Sequence, residues 1–274
     1  MSPVERLTHL LRLPRFAVLP SVLAGACAAY DPSLRPQPAT LGLFAAFLFA
    51  IGDAEAMLAH GRPGRAAPPG AGGRFAASLA VALACGALLV SLRGWPMFWV
   101  VSAATLIAAA FIAGPRLADT ALGGPLTILW MGPLATAGAS LALVGTVTPP
   151  AVWIGIPIGF LADAARRAFD AARAGHAAAA PDADEGDTVA PPWFAGDLVA
   201  GFGAVPVIIL GGGLPWAALG ALLALPWALR EFARARRGYV WREAAARARL
   251  LHAGFAIALA LATLAARLLA TRAA

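Results

Sequence analysis

Lysine is absent from this chain. Its 21 basic residues are all arginine, set against 14 acidic ones for a formal net charge of +7. Charged residues make up only 13% of the sequence, too few to clothe a soluble domain, in which about 25% is usual. Cysteine is scarce as well. Cys27 and Cys85 both fall inside apolar stretches, which argues against a disulfide framework. No His/Cys cluster has zinc-ligand spacing, and no glycine-rich loop has the form that cradles a nucleotide phosphate. No basic patch is interleaved with aromatics in the manner of a nucleic-acid surface, so no nucleic-acid partner is expected.

What the sequence has in excess is apolar length. Sixty per cent of its residues are hydrophobic, and the mean hydropathy is +0.76. This is the composition of a polytopic α-helical membrane protein. With about 20 apolar residues per span and Gly/Pro punctuation between spans, the chain divides into about nine segments. They run roughly over Leu13–Tyr30, Thr40–Ala59, Phe75–Leu92, Pro96–Gly114, Ala121–Gly145, Pro149–Phe169, Trp193–Gly212, Leu214–Glu231 and Leu250–Leu269. The expected fold is all-α: about nine transmembrane helices around a central cavity opening to the cytoplasm. It forms a single transmembrane domain over 1–274, with cytoplasmic loops at about 60–74, 170–192 and 231–249. The basic stretch Arg230–Arg249, with Tyr239 and Trp241, reads as an interfacial helix. Arg6, Arg12 and Arg15 precede Leu23-Ala24-Gly25-Ala26-Cys27 in the manner of a signal peptide, but the spans that follow make this segment more simply a retained helix.

Arginine placement sets the orientation. With the N-terminus in the cytoplasm, only Arg35, Arg93, Arg267 and Arg272 of the 21 arginines fall on the far side. The positive-inside rule therefore predicts a multi-pass protein of the inner (cytoplasmic) membrane, N-terminus inside and C-terminus outside.

Two carboxylates stand out against this background. Asp53 and Asp163 are each stranded in an apolar run, and each precedes an arginine-bearing stretch: Arg62 and Arg65 after the first, Arg166, Arg167 and Arg173 after the second. An ionisable group at membrane depth is costly and is a functional candidate by default. The similar depth of the two predicts one shared cavity. Glu55 lies near Asp53, although about 200° away around a helix; Asp170 is seven residues after Asp163 and shares its face. Carboxylates from two helices suit Mg²⁺, which takes one or two of them together with phosphate and water. Guanidinium groups match phosphate oxygens. The plainer alternative is that Asp163 with Arg167, and Arg166 with Asp170, are i,i+4 pairs that neutralise one another at a helix end. His60 and His176 lie beside the same loops, as solvated side chains or anion contacts.

Four features together resemble the UbiA superfamily of intramembrane prenyltransferases. Leu10-Leu11-Arg12-Leu13-Pro14-Arg15, leading through Leu19-Pro20-Ser21 to Gly25, is similar to that family's opening helix. Arg62-Pro63-Gly64-Arg65-Ala66-Ala67-Pro68-Pro69-Gly70 resembles the loop after its first aspartate motif. Gly124-Pro125-Leu126-Thr127 with Met131-Gly132 looks like its fifth helix. Acidic positions at the ends of the second and sixth spans match its architecture. The resemblance implies nine helices around a cavity and Mg²⁺-dependent transfer of a prenyl group from its diphosphate to an aromatic or other lipophilic acceptor. It makes Asp53 and Asp163 the catalytic residues, Asp53, Asp163, Glu55 and Asp170 the metal ligands, and Arg62, Arg65, Arg166 and Arg167 the diphosphate ligands. The implied partners are membrane lipid, a prenyl diphosphate and the acceptor. The family motifs are N-D-x-x-D-x-x-x-D and D-x-x-x-D. This chain instead reads Asp53-Ala54-Glu55-Ala56-Met57-Leu58-Ala59-His60-Gly61 and Asp163-Ala164-Ala165-Arg166-Arg167-Ala168-Phe169-Asp170, with several motif acids missing. Three readings follow: a divergent prenyltransferase, a non-catalytic member binding or presenting a prenyl lipid to a partner, and a small-solute transporter. Clustering of the acids on one side, away from the midplane, counts against transport.

Overall fold

The computed structural model describes residues 18–60, 70–113, 120–178, 192–235 and 241–273. Among them all regular structure is helical and no strand occurs. In chain order the helices are α1 (Leu19–Ala29), α2 (Pro38–His60), α3 (Ala71–Arg93), α4 (Trp95–Ala113), α5 (Gly123–Leu129), a π-helical segment (Trp130–Leu134), α6 (Ala135–Val144), α7 (Pro149–Ala178), α8 (Pro192–Leu210), a 3₁₀ segment (Trp216–Ala224), α9 (Leu225–Ala235) and α10 (Trp241–Ala273). A one-turn 3₁₀ helix, Pro32–Leu34, lies between α1 and α2; its cap is Asp31, whose carboxyl is held below the usual range by hydrogen bonds from the Ser33 hydroxyl and amide.

Each predicted apolar segment is mainly helical where it is described. Among the described residues, four stretches are long and apolar enough to cross a bilayer: Ala71–Arg93, Gly123–Val144, Trp193–Leu210 and Ala245–Thr271. Leu19–Ala29, Pro38–Ala54 and Trp95–Phe111 are shorter apolar helices. The outer surface is apolar too, with Leu83, Leu106, Val199, Val207, Leu210 and Leu223 all turned outward. A soluble monomer does not expose apolar surface on this scale. Exposed Trp95, Trp99, Trp153 and Trp216 mark one end of the helices and exposed Trp193 the other, as tryptophans do at the two faces of a bilayer.

Several boundaries differ from expectation. Helix α7 continues to Ala178, and α3 begins at Ala71, so both enter segments expected as loops. Of the basic stretch after Arg230, Arg234 lies in the last turn of α9, and Arg247 and Arg249 lie on the first turns of α10; residues 236–240 between them lie outside the described residues. With 33 residues, α10 is about 50 Å long, well beyond the ~30 Å of hydrocarbon. Its basic start therefore extends past the apolar stretch.

Buried side chains form two clusters. One joins α2, α3, α4 and α6 through Phe44, Phe47, Leu89, Met97 and Leu141; the other joins α7, α8, the 3₁₀ segment and α10 through Ile154, Ile158, Leu161, Phe202 and Phe255. Helix α1 belongs to both, giving Val22 to the first and Ala24 and Ala28 to the second. At the end of the bundle away from Asp53 and Asp163, Arg93 donates to the carbonyls of Ala142 and Leu143 and to the Thr40 hydroxyl. A cation there satisfies the last carbonyls of α6 and opposes the helix dipole.

The predicted fifth span is interrupted. Pro133 has no N–H to continue the ladder, and Gly132 takes a non-helical conformation (φ −105°, ψ −108°), giving the π-helical turn. Here α7 comes into backbone contact: a Cβ at Gly132 would lie 2.3 Å from the Gly155 carbonyl, and one at Gly159 would lie 2.3 Å from the Ile128 carbonyl. The Gly155-x₃-Gly159 stripe thus seats α7 directly against α5 and the π turn, the small-residue packing of membrane helices. That contact brings the second half of α7 against Gly124.

Candidate functional site

Asp163 lies on the buried face of α7, beside Leu161, Ala164 and Ala168, and its side chain is 0% exposed. Oδ1 accepts from Arg166 Nε at 2.9 Å, with Arg166 Nη2 also at 2.9 Å; Oδ2 accepts from Arg167 Nε at 2.6 Å. The i,i+4 pair with Arg167 forms as the spacing predicts. Arg166 also pairs with Asp163, three residues before it; the expected pair of Arg166 with Asp170 lies outside the described residues.

Helix α8 adds a second acid. Asp197 Oδ2 is 2.9 Å from Arg167 Nε, yet it accepts no aligned hydrogen bond. The two facts agree: Nε carries one proton, and that proton points to Asp163 at 2.6 Å. Asp197 thus feels the charge of Arg167 without taking its Nε–H. From the third side comes Gly124 of α5. A Cβ there would stand 2.4 Å from Arg167 Nη2 and 3.1 Å from Asp163 Oδ2. The guanidinium therefore lies on bare backbone. Two carboxylates and two guanidinium groups, drawn from two helices and roofed by a third, set opposite charges side by side, which lowers the cost of burying them. The side chains of Arg166 and Arg167 are 20% and 25% exposed, so the cluster is reached from the arginine-rich end.

Asp53 is buried and accepts from the Ser78 hydroxyl of α3 at 2.8 Å. Both α2 and α7 start beside the end of α6: Gln37 N–H donates to Leu143 O, and Thr148 N–H to Ser140 Oγ. Asp53 and Asp163 follow their helix starts by similar lengths, about 21–23 Å at 1.5 Å per residue. Asp53 bonds to Ser78 and Asp163 to Arg166 and Arg167, and α6 packs against both helices. Arg62 and Arg65 lie outside the described residues, as do the side chains of Glu55, His60 and His176.

The implied Mg²⁺ can be tested against this donor set. Among the described residues no three His, Cys, Asp or Glu side chains converge as a metal site. Each Asp163 oxygen already accepts from a guanidinium, whereas Mg²⁺ needs carboxylate lone pairs at about 2.0–2.1 Å. Two cations within 3 Å of those oxygens would also repel a third. The Asp163 group as arranged does not fit Mg²⁺, and no step is derived through it. It does suit an anion, because guanidinium is the planar, multi-donor partner of phosphate.

Asp197, Ser78 and Gly124 were not singled out as site residues from the sequence. Asp197 carried the same signal as Asp163, an acid within an apolar segment; Gly124 entered only through the stretch that resembles the family's fifth helix, and Ser78 carried none. The same end holds further pairs. Buried Glu231 accepts from Arg234 Nη1 at 2.8 Å and lies 3.9 Å from Arg247, and the Arg249 guanidinium stands 4.4 Å over the Phe169 ring. Ser21 Oγ and His252 Nε2 are buried with no hydrogen-bond partner among the described residues. No family profile and no curated protein sequence matches this chain.

Proposed function

We propose that this chain is a divergent UbiA-type prenyltransferase of the inner membrane, moving a prenyl group from its diphosphate to a lipophilic or aromatic acceptor. The observation that carries the reading is the buried Asp163–Arg166–Arg167–Asp197 cluster, set among apolar helices and reached from the arginine-rich end. In this proposal nine spans surround a cavity that opens to the cytoplasm, with Asp53 at the same depth as Asp163. The guanidinium groups hold the diphosphate and stabilise the charge that grows on it. The allylic C–O bond breaks and its electron pair leaves on the diphosphate. Apolar walls keep water from the allylic carbon. A carbon of the acceptor bonds to that carbon, and the proton it loses passes to water. Purified protein given a prenyl diphosphate and a phenolic or quinol acceptor should release diphosphate in proportion to prenylated product. Absence of both, with intact binding, would remove the enzyme reading.

A second reading is favoured by one observation. Both oxygens of Asp163 are already engaged by arginines, as suits a site that holds an anion without turning it over. On that reading the protein binds or presents a prenyl lipid to a partner. Binding of prenyl diphosphate without release of diphosphate is its signature.

A further inference from the structure

We infer that the site grips the diphosphate group with guanidinium groups alone and needs no divalent cation to bind it. The inference rests on the reading above, that the ligand is a prenyl diphosphate. Arg166 and Arg167 bring two guanidinium groups to one place, set against the carboxylates of Asp163 and Asp197. Asp163 is the anchor of both: its carboxylate, wholly buried, fixes each side chain through Nε. Arg167 is held from a second side by the Asp197 carboxylate of α8. A guanidinium has five N–H donors in a rigid fork, so tethering Nε orients the remainder of the fork. For Arg167 the direction is set by Gly124, whose bare backbone receives the Nη2 end. A preorganised pair of cations costs an anion little reorganisation. The same arrangement deprives a metal of its carboxylate, because the ligand an Mg²⁺ ion would use is the one that holds the arginines.

Gly124 provides a test that removes no charged group. An alanine Cβ at this position would overlap Arg167 Nη2 at 2.4 Å. The obstructed atom is the far end of a flexible side chain, so the guanidinium is displaced while the helices stay packed. The experiment titrates the full-length protein in detergent with farnesyl diphosphate, once in excess EDTA and once in Mg²⁺, with inorganic pyrophosphate as competitor. The affinities in the two conditions should agree within about threefold. Arg167→Gln should weaken binding about tenfold or more in EDTA, the loss of a charged hydrogen-bond donor. Because that change strands Asp197 and could unfold the protein, Gly124→Ala is measured beside it: weaker binding by a protein that stays folded at the assay temperature is expected. Binding in Mg²⁺ but not in EDTA would overturn the inference and leave the prenyl-diphosphate reading standing. Wild-type affinity in both variants would overturn the site. No binding in either condition would overturn the prenyl-diphosphate reading itself, and this inference with it.

Discussion

At the scale of single residues, Asp163 is a partner before it is anything else. It is fully buried and binds two arginines that are themselves mostly covered. Removing its charge strands both cations, and breaking a buried pair from one side costs about 3–5 kcal/mol. Asp163→Asn should therefore lower the melting temperature in detergent and, if the chain is the proposed prenyltransferase, abolish turnover as well. The two effects separate in a double-mutant cycle with Arg167→Gln. Because the two groups share one hydrogen bond, the double variant should be more stable than the sum of the singles by about 1–3 kcal/mol. Simple additivity would show that the pair seen at 2.6 Å contributes nothing. His252 provides the opposite case. Its Nε2 is buried with no partner among the described residues, and a buried group in that state costs about 1–3 kcal/mol. His252→Leu should hold or raise stability. A clear drop would mean that the imidazole has a polar partner in the native membrane.

At the scale of elements, glycines on the same kinds of helix do unlike work. Gly159 of α7 faces the Ile128 carbonyl at 2.3 Å from where its Cβ would be, whereas nothing lies within 4 Å of the same point on Gly196 of α8. Gly159→Ala should therefore destabilise by about 1–3 kcal/mol through overpacking against backbone. Gly196→Ala should be neutral or stabilising by up to about 1 kcal/mol, because alanine is the better helix former. Equal melting temperatures for the two variants would contradict the close approach of α7 to α5. The contrast also marks what the sequence could and could not tell. The positions of the helices were legible, because apolar length is a local property: the expected segments Thr40–Ala59 and Pro96–Gly114 lie over α2 and α4. The charge pair Asp163–Arg167 was legible for the same reason, since i,i+4 spacing fixes it. Asp197 beside Arg167, Ser78 beside Asp53 and Gly124 beneath the guanidinium were not, because each depends on how one helix is rotated against another. The extension of α7 to Ala178 was missed as well: the expected ending at Phe169 followed the loss of hydrophobicity, while the backbone continues on alanine and arginine, both strong helix formers.

At the scale of the whole molecule, charge and hydropathy make a joint claim about orientation. The bundle gathers Arg74, Arg166, Arg167, Arg230, Arg234, Arg247 and Arg249 toward the end that holds the buried cluster, and the far end keeps few cations. One of those few, Arg93, is accounted for by the α6 carbonyls it binds, so it is a structural exception within the bias. Moving an arginine to the centre of the bilayer costs about 2.5–3.5 kcal/mol on insertion scales. The arginine-rich end is therefore expected to remain on the cytoplasmic side, and an odd number of crossings to place the two termini on opposite sides. A reporter fused after Arg65 should be active only in the cytoplasm, and one fused after Ala274 only outside. Activity of both on one side would mean an even number of crossings. That result would take the shared cytoplasmic cavity with it, since Asp53 and Asp163 would then no longer be bound to open toward the same compartment. Opposite sides with the signs reversed would keep the crossing number but turn the arginine cluster outward, where a prenyl diphosphate supplied from the cytoplasm could not reach it.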